Sequence, residues 1–310
     1  MAKRYWRNRV IMAKMETVYG QDALPTGAAN TMLMTDVEFE PFLGQDLSRD
    51  LVLPYMGHQG VILEGNYGRL TGSIEIAGSG EPGTAPAYGP MFRSCGMQEV
   101  ITADTDVKYT PVSRNFESCS IYFNDDGVNH ILVGARGTVT LSLTPGQIPR
   151  YRFTMTGLVG TIADIPLPAL TTAGFITPVP VNKLWTSVSL HGWAGACEGL
   201  TLDFGNQVEP RMLINAESIE QTDRQVTGSA IFEAVHLADK NWLQAMREHQ
   251  VGALVAQQGT VAGNIVQIDG PTVQLGRITY GETQRIRNNT IPLFCKPTSA
   301  GNDEITITVK

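Results

Sequence analysis

A chain of 310 residues is long for one domain and comfortable for two. With 42% hydrophobic and 17% charged residues and abundant glycine, it has the composition of a β-rich protein with ordinary packed cores. The net charge of −7 leaves both halves mildly acidic, and no apolar run is long enough to span a bilayer, so no membrane segment is expected.

Residues 1–30 show no clear period and read as an N-terminal arm that needs something to lie on. Lys3, Arg4, Arg7, Arg9 and Lys14 precede the first acid, Glu16. Such a cluster suits docking on a protein, contact with nucleic acid or a solvated tail. The interleaved Tyr5 and Trp6 favour protein docking. Met32 to Phe42 is strand-like. Residues 43–59 form a long polar excursion that carries Leu51, Leu53, Tyr55 and Met56, and exposed apolar side chains in a long loop point to an interface.

The stretch Gly68-Arg69-Leu70-Thr71-Gly72-Ser73-Ile74-Glu75-Ile76-Ala77 alternates strictly. Leu70, Ile74 and Ile76 share one face, and Thr71, Ser73 and Glu75 the other, as in a half-buried strand. A glycine-rich turn (residues 78–83) leads to a short helix over Tyr88–Cys95, where Pro90 is tolerable only in the first turn. Hairpins follow: Cys119, Ile121 and Phe123 form one strand, with Asp125-Asp126-Gly127 as its turn. Val139, Leu141 and Leu143 form another, and Tyr151, Phe153 and Met155 oppose Arg150, Arg152 and Thr154.

Four prolines between Ile165 and Pro180 mark an extended linker. Beyond it the first unit recurs. Arg224-Gln225-Val226-Thr227-Gly228-Ser229-Ala230-Ile231-Phe232-Glu233 repeats the Thr-Gly-Ser core. A helix is expected over Lys240–Gln250, capped by Asp239 and stopped by Gly252. A third echo pairs Leu143-Thr144-Pro145-Gly146-Gln147-Ile148-Pro149-Arg150-Tyr151-Arg152 with Ile278-Thr279-Tyr280-Gly281-Glu282-Thr283-Gln284-Arg285-Ile286-Arg287. Three echoes in the same order argue for a duplicated domain. The organisation read from the sequence is an arm (1–30), a first domain (31–162), a linker (163–184) and a second domain (185–310). Each domain should be an antiparallel sheet with one packed helix, in a mainly β fold.

No catalytic constellation emerges. Gly78-x-Gly80-x-x-Gly83 with Asp104 downstream superficially matches a dinucleotide-binding fingerprint. Pro82, Pro86 and Pro90 break that pattern, the following segments are hairpins, and the second copy lacks the glycines. The histidines stand alone. Cys95, Cys119, Cys197 and Cys295 are scattered singly, as buried free thiols from a reducing cytoplasm would be. No enzyme activity, metal or cofactor is expected.

A duplicated antiparallel sheet with one short helix per copy, long loops and a basic arm resembles the major tail tube proteins of long-tailed, siphovirus-type bacteriophages. The resemblance rests on Gly68 to Gly78, on Tyr88-Gly89-Pro90-Met91-Phe92-Arg93-Ser94-Cys95-Gly96 and on Leu143 to Phe153. It implies a structural virion protein, made in the host cytoplasm, whose copies polymerise into stacked rings around a tape-measure protein. Tail terminator and distal tail proteins would be further partners, and double-stranded DNA would pass through without specific binding. Two tube domains per chain imply rings of three chains with pseudo-sixfold symmetry. The competing class is a non-enzymatic capsid-decoration or host-attachment protein.

On that resemblance the helices should cover the sheet face of Leu70, Ile74 and Ile76, leaving Thr71, Ser73, Glu75, Thr227 and Ser229 as lumen candidates. DNA carries one negative charge per about 1.7 Å, so a conduit should avoid a basic wall. Lys3, Arg4, Tyr5, Trp6, Arg7, Arg9, Leu51, Leu53, Tyr55 and Met56 are the expected assembly contacts, and deleting residues 1–14 should leave a folded protein that does not polymerise.

Overall fold

The computed structural model describes residues 3–310; residues 1 and 2 of the expected arm lie outside the described residues. The first half opens with β1 (Arg9–Met15) and β2 (Thr31–Met32), followed by the long hairpin β3 (Thr35–Ser48) and β4 (Val61–Glu75). Helix α1 (Gly89–Ser94) leads into the hairpin β5 (Met97–Thr102) and β6 (Asp106–Pro111). Then come β7 (Cys119–Asp125), β8 (Val128–Leu143), β9 (Arg150–Val159) and β10 (Ala163–Asp164). The second half holds β11 (Thr186–Leu190), β12 (Cys197–Asp203), β13 (Asn206–Leu213), β14 (Ala216–Arg224) and β15 (Thr227–Glu233). Helix α2 (Trp242–Arg247) precedes β16 (Val251–Gln258), β17 (Val266–Leu275), β18 (Thr279–Thr283), β19 (Ile286–Cys295) and β20 (Thr306–Val309). The mainly β, antiparallel class expected from the alternation is what the chain adopts.

The ladders of the halves run in the same order. In the first, β1 pairs β7, then β8, β9, β4 and β3 follow. In the second, β11 pairs β16, then β17, β19, β15 and β12 follow. The halves join where β8 pairs β12 antiparallel, with Leu143 opposite Leu200 and Thr140 opposite Asp203. A second join runs through β20, which pairs both β17 and β6.

The alternation buries one face throughout. Leu70, Ile74, Tyr151, Phe153, Val139, Leu141, Leu200, Leu202, Ala230, Phe232, Ile291 and Leu293 form one continuous core. Helix α1 sets Phe92 edge-on to Tyr151 at 4.9 Å and to Phe153 at 5.3 Å, and α2 stacks Trp242 on Phe232 at 5.7 Å. The helices therefore cover the expected face. Both are shorter than the apolar stripes suggested. In α1 Tyr88 is the N-cap, and Pro90 stands in the first turn, where no intrahelical N–H is lost. In α2 Asn241, not Asp239, is the N-cap, its side chain accepting from the Gln244 N–H at 2.9 Å. His249 takes the left-handed turn (φ 52°) that ends the helical segment, and Gly252 already belongs to β16.

Three expectations need correction. Residues 9–15 are not a free arm: Arg9–Met15 is a full strand in register with β7, and Val10, Ile11, Met12 and Ala13 are buried. The period was hidden because both faces of β1 are covered, Ile11 and Ala13 by the main core and Val10 and Met12 by Tyr122. The long loop is shorter than 43–59, since β3 continues to Ser48 and only residues 49–60 separate it from β4, which begins at Val61. The third echo is out of register. Glu75 faces Arg150 and Ile231 faces Thr290, whereas Gln284 and Arg285 form a tight turn with φ of 53° and 67°.

Candidate assembly surfaces

Residues directly opposite in an antiparallel ladder point to the same side. Starting from Ser73, one row reads Thr35, Ser73, Arg152, Thr140, Asp203, Thr227 and Phe294. The next reads Glu75, Arg150, Ser142, Thr201, Ser229 and Pro292. Parity is kept across the β8–β12 join, so Thr71, Ser73, Glu75, Thr227 and Ser229 lie on one face of one sheet, opposite the helices.

The charges on that face are matched. Arg69 lies 3.6 Å from Glu40, Arg152 lies 3.7 Å from Glu38, and Arg150 bonds Asp36 at 2.9 Å. Glu75 faces Arg150 across the ladder. Asp203 adds another exposed carboxylate. Each of these three arginines therefore has an acid partner, and the face stays neutral to acidic. Arg150 and Arg152 were legible as polar-face residues from their alternation with Tyr151 and Phe153. Their partners on β3 were not, because sequence does not state register.

The arm candidates fold back on their own chain. Arg4 bonds Asp125 at 2.6 Å, the Tyr5 N–H donates to Asp126, and the Arg9 guanidinium lies 3.3 Å over the Trp6 ring. Tyr5 and Trp6 remain exposed, as do Lys3 and Arg7. Leu51, Leu53, Tyr55 and Met56 are exposed at the tip of the β3–β4 hairpin, and exposed Leu47, Ile62 and Leu63 extend the patch down its strands.

The β13–β14 hairpin of the second half also exposes Leu213 and Ile214 at its tip, but its strands are held against the first half. After β12 the chain bends at Phe204-Gly205, and β13–β14 lies on the first half. Gln221 Nε2 donates to the carbonyls of Ser94 and Gly137, each at 3.1 Å. Asn206 Nδ2 donates to Cys95 O at 2.7 Å and Gly137 O at 3.0 Å, and the Ile219 N–H donates to Tyr19 Oη at 2.6 Å. No sequence signal marked these contacts, since isolated polar residues carry no pairing information.

The fingerprint-like glycines have a structural explanation here. The Gly80 N–H donates to Gly263 O at 2.9 Å, and a Cβ on Gly78 would sit 2.0 Å from that oxygen. They let the backbones of the two halves touch. Cys95 and Cys119 are buried, and burial pushes the Cys119 thiol up to about 12, which makes it inert at neutral pH. Among the described residues, no group of three His, Cys, Asp or Glu could hold a metal ion.

A continuous polar sheet face and an exposed apolar hairpin tip mark a mainly β protein with broad surfaces suited to contact with other copies or chains. The family model for phage tail tube protein matches residues 6–309, and the chain belongs to that family. It is thus a structural component of the virion tail. A comparison with curated proteins finds no match.

Proposed function

We propose that this chain is a siphovirus-type tube protein with a duplicated tube domain, of which three copies close a ring. The observation that carries this reading is the β8–β12 join, set beside the repeated ladder order. With Thr71 and Thr227 taken as equivalent, β12 corresponds to β3 and the end of β8 to β18. Among the described residues β3 pairs only with β4, and β18 only with β19. Each thus has a free edge, and an unpaired row of N–H and C=O groups is a template for another chain. Pairing β3 of one copy with β18 of the next repeats the internal join, placing Thr35 opposite Thr279 as Thr201 lies opposite Ser142. Three such joins and three internal ones give a closed pseudo-sixfold sheet.

In this reading residues 31–162 and 185–310 are the tube domains, with 163–184 as the linker. The face of Thr71, Ser73, Glu75, Thr227 and Ser229 lines the bore, where acid-matched arginines let DNA pass without being held. Rings stack through the β3–β4 hairpin tip, where burying Leu51, Leu53, Tyr55 or Met56 would contribute roughly 1.5–3 kcal/mol each. The tape-measure, terminator and distal tail proteins meet the tube along its bore and at its ends. Electron microscopy of the purified protein with native mass spectrometry of its smallest ring tests this. Hollow tubes with three chains per ring are expected. Isolated globules would favour the decoration or attachment reading, and six chains per ring would remove the duplication argument.

A further inference from the structure

The free strand edge has a companion on the N-terminal side of each half. In the second half the chain approaches β11 through a turn in which the Trp185 N–H donates to Asn182 O at 3.2 Å, and Trp185 O accepts from Gly259 N–H at 2.7 Å. In the first half it approaches β1 through the same arrangement: Asn8 N–H donates to Tyr5 O at 3.0 Å, and Asn8 O accepts from Asp126 N–H at 2.8 Å. Asn182 thus corresponds to Tyr5, and Val181 to Arg4. The two approach segments differ in what lies before the turn.

Val181 crosses onto the other half. Its carbonyl accepts from Gly146 N–H and its N–H donates to Gln147 O, each at 2.9 Å, in the β8–β9 turn. Its side chain is buried beside Leu143, which is only 2% exposed. The position equivalent to Leu143 in the second half is Tyr280, because Thr279 faces Thr290 as Ser142 faces Arg150. Tyr280 is 55% exposed and lines an open cleft of about 310 Å³ with Trp242, Leu237, Ile278 and Lys240. Trp242 is buried in that cleft wall, and its indole N–H has no partner among the described residues. Among the described residues, none of this chain fills the place that Val181 fills in the first half.

We propose that the arm of a second copy fills it: residues 3–6 of one chain dock in the Tyr280–Trp242 cleft of its ring neighbour, as residues 180–183 dock within the chain. Arg4 then lies beside Tyr280 as Val181 lies beside Leu143, its aliphatic stem packing on the exposed ring while its guanidinium stays in solvent, clear of Arg287 and Lys240. Tyr5 and Trp6, exposed here at 66% and 77%, gain apolar surface to cover. This rests on the three-chain ring proposed above.

The wild-type protein provides its own reporters, since Lys3 precedes Arg4 and Lys240 lines the cleft. Copies grown with light and heavy nitrogen are mixed before polymerisation, and the tubes are treated with a short lysine-reactive cross-linker. Mass spectrometry should find Lys3–Lys240 links joining light to heavy chains in tubes and none in unassembled protein. Three-chain rings without that mixed link overturn the arm docking while the ring reading stands. Failure to form three-chain rings overturns the ring reading itself. As a second measurement, Tyr280→Ser should reduce the mixed link at least several-fold while leaving links between other lysines unchanged; an undiminished link also overturns the cleft assignment.

Discussion

Arg136 on β8 gives one guanidinium nitrogen to two acceptors of the other half, Glu220 Oε2 at 2.8 Å and the Ile219 carbonyl at 2.7 Å. Its second terminal nitrogen reaches Phe116 O at 2.9 Å, and its face lies 4.7 Å from the Tyr19 ring centroid. One nearly buried arginine thereby fixes how the β13–β14 hairpin lies on the first half. The planar fork, not the charge alone, makes this geometry possible.

Arg136→Ala should cost about 3 kcal/mol, because buried carbonyls of Ile219 and Phe116 lose their donor. Glu220 is half-exposed, so Glu220→Gln should cost less than about 1 kcal/mol. Chemical denaturation of both variants checks the order. Equal losses would mean that the ion pair, and not carbonyl satisfaction, holds the hairpin.

Phe92 is the hub of the first core, fully buried against Tyr151, Phe153, Tyr109 and Phe204. Phe92→Ala should destabilise by about 3–5 kcal/mol through lost transfer and a residual cavity. A change below about 1 kcal/mol in the unfolding midpoint would place the hub elsewhere.

Truncation separates the arm from the strand that follows it. Removing residues 1–14 deletes nearly all of β1 and uncovers β7, so that protein should be largely unfolded or aggregated by circular dichroism and gel filtration. Removing residues 1–6 spares the whole strand and should leave a folded protein with impaired tube formation. A cooperatively folded 1–14 deletion would contradict the role of the buried Val10–Ala13 run.

Glu75→Lys places a cation directly opposite Arg150 on the polar face. If that face lines the bore, particles carrying the substitution should release DNA more slowly. The delay should be greatest at low ionic strength, where screening is weak. Release at the wild-type rate in low salt would take Glu75 out of the bore.

His130 packs against Phe39 and Phe123, with centroid distances of 5.1 Å and 6.3 Å, and desolvation followed by the nearby Arg4 holds its pKa below the usual histidine value. The folded state therefore binds the proton less readily than the unfolded state. The stability this contributes is complete above the unfolded value, about 6.5, and is lost as pH falls from there toward the depressed folded value. His130→Phe should flatten the fall in Tm across that window. An unchanged difference between pH 7.5 and pH 5.5 would assign the fall to carboxylates.

The sequence by itself determined the strands with one covered face and the two short helices. Strict alternation at Leu70–Ile76 and Tyr151–Met155 states which side of each strand is apolar, and that pattern is local. It also gave the common face of Thr71, Ser73 and Glu75. Only the tertiary structure decided what stands opposite: that Glu75 meets Arg150, that β8 pairs β12 and carries the polar face into the second half, and that Arg136 reaches Ile219. These are pairings between residues far apart in the chain, set by packing and register. β1 has no readable period for a related reason. A strand covered on both sides has no alternation to read, so Val10–Ala13 looked like part of an arm until β7 and the core supplied its partners.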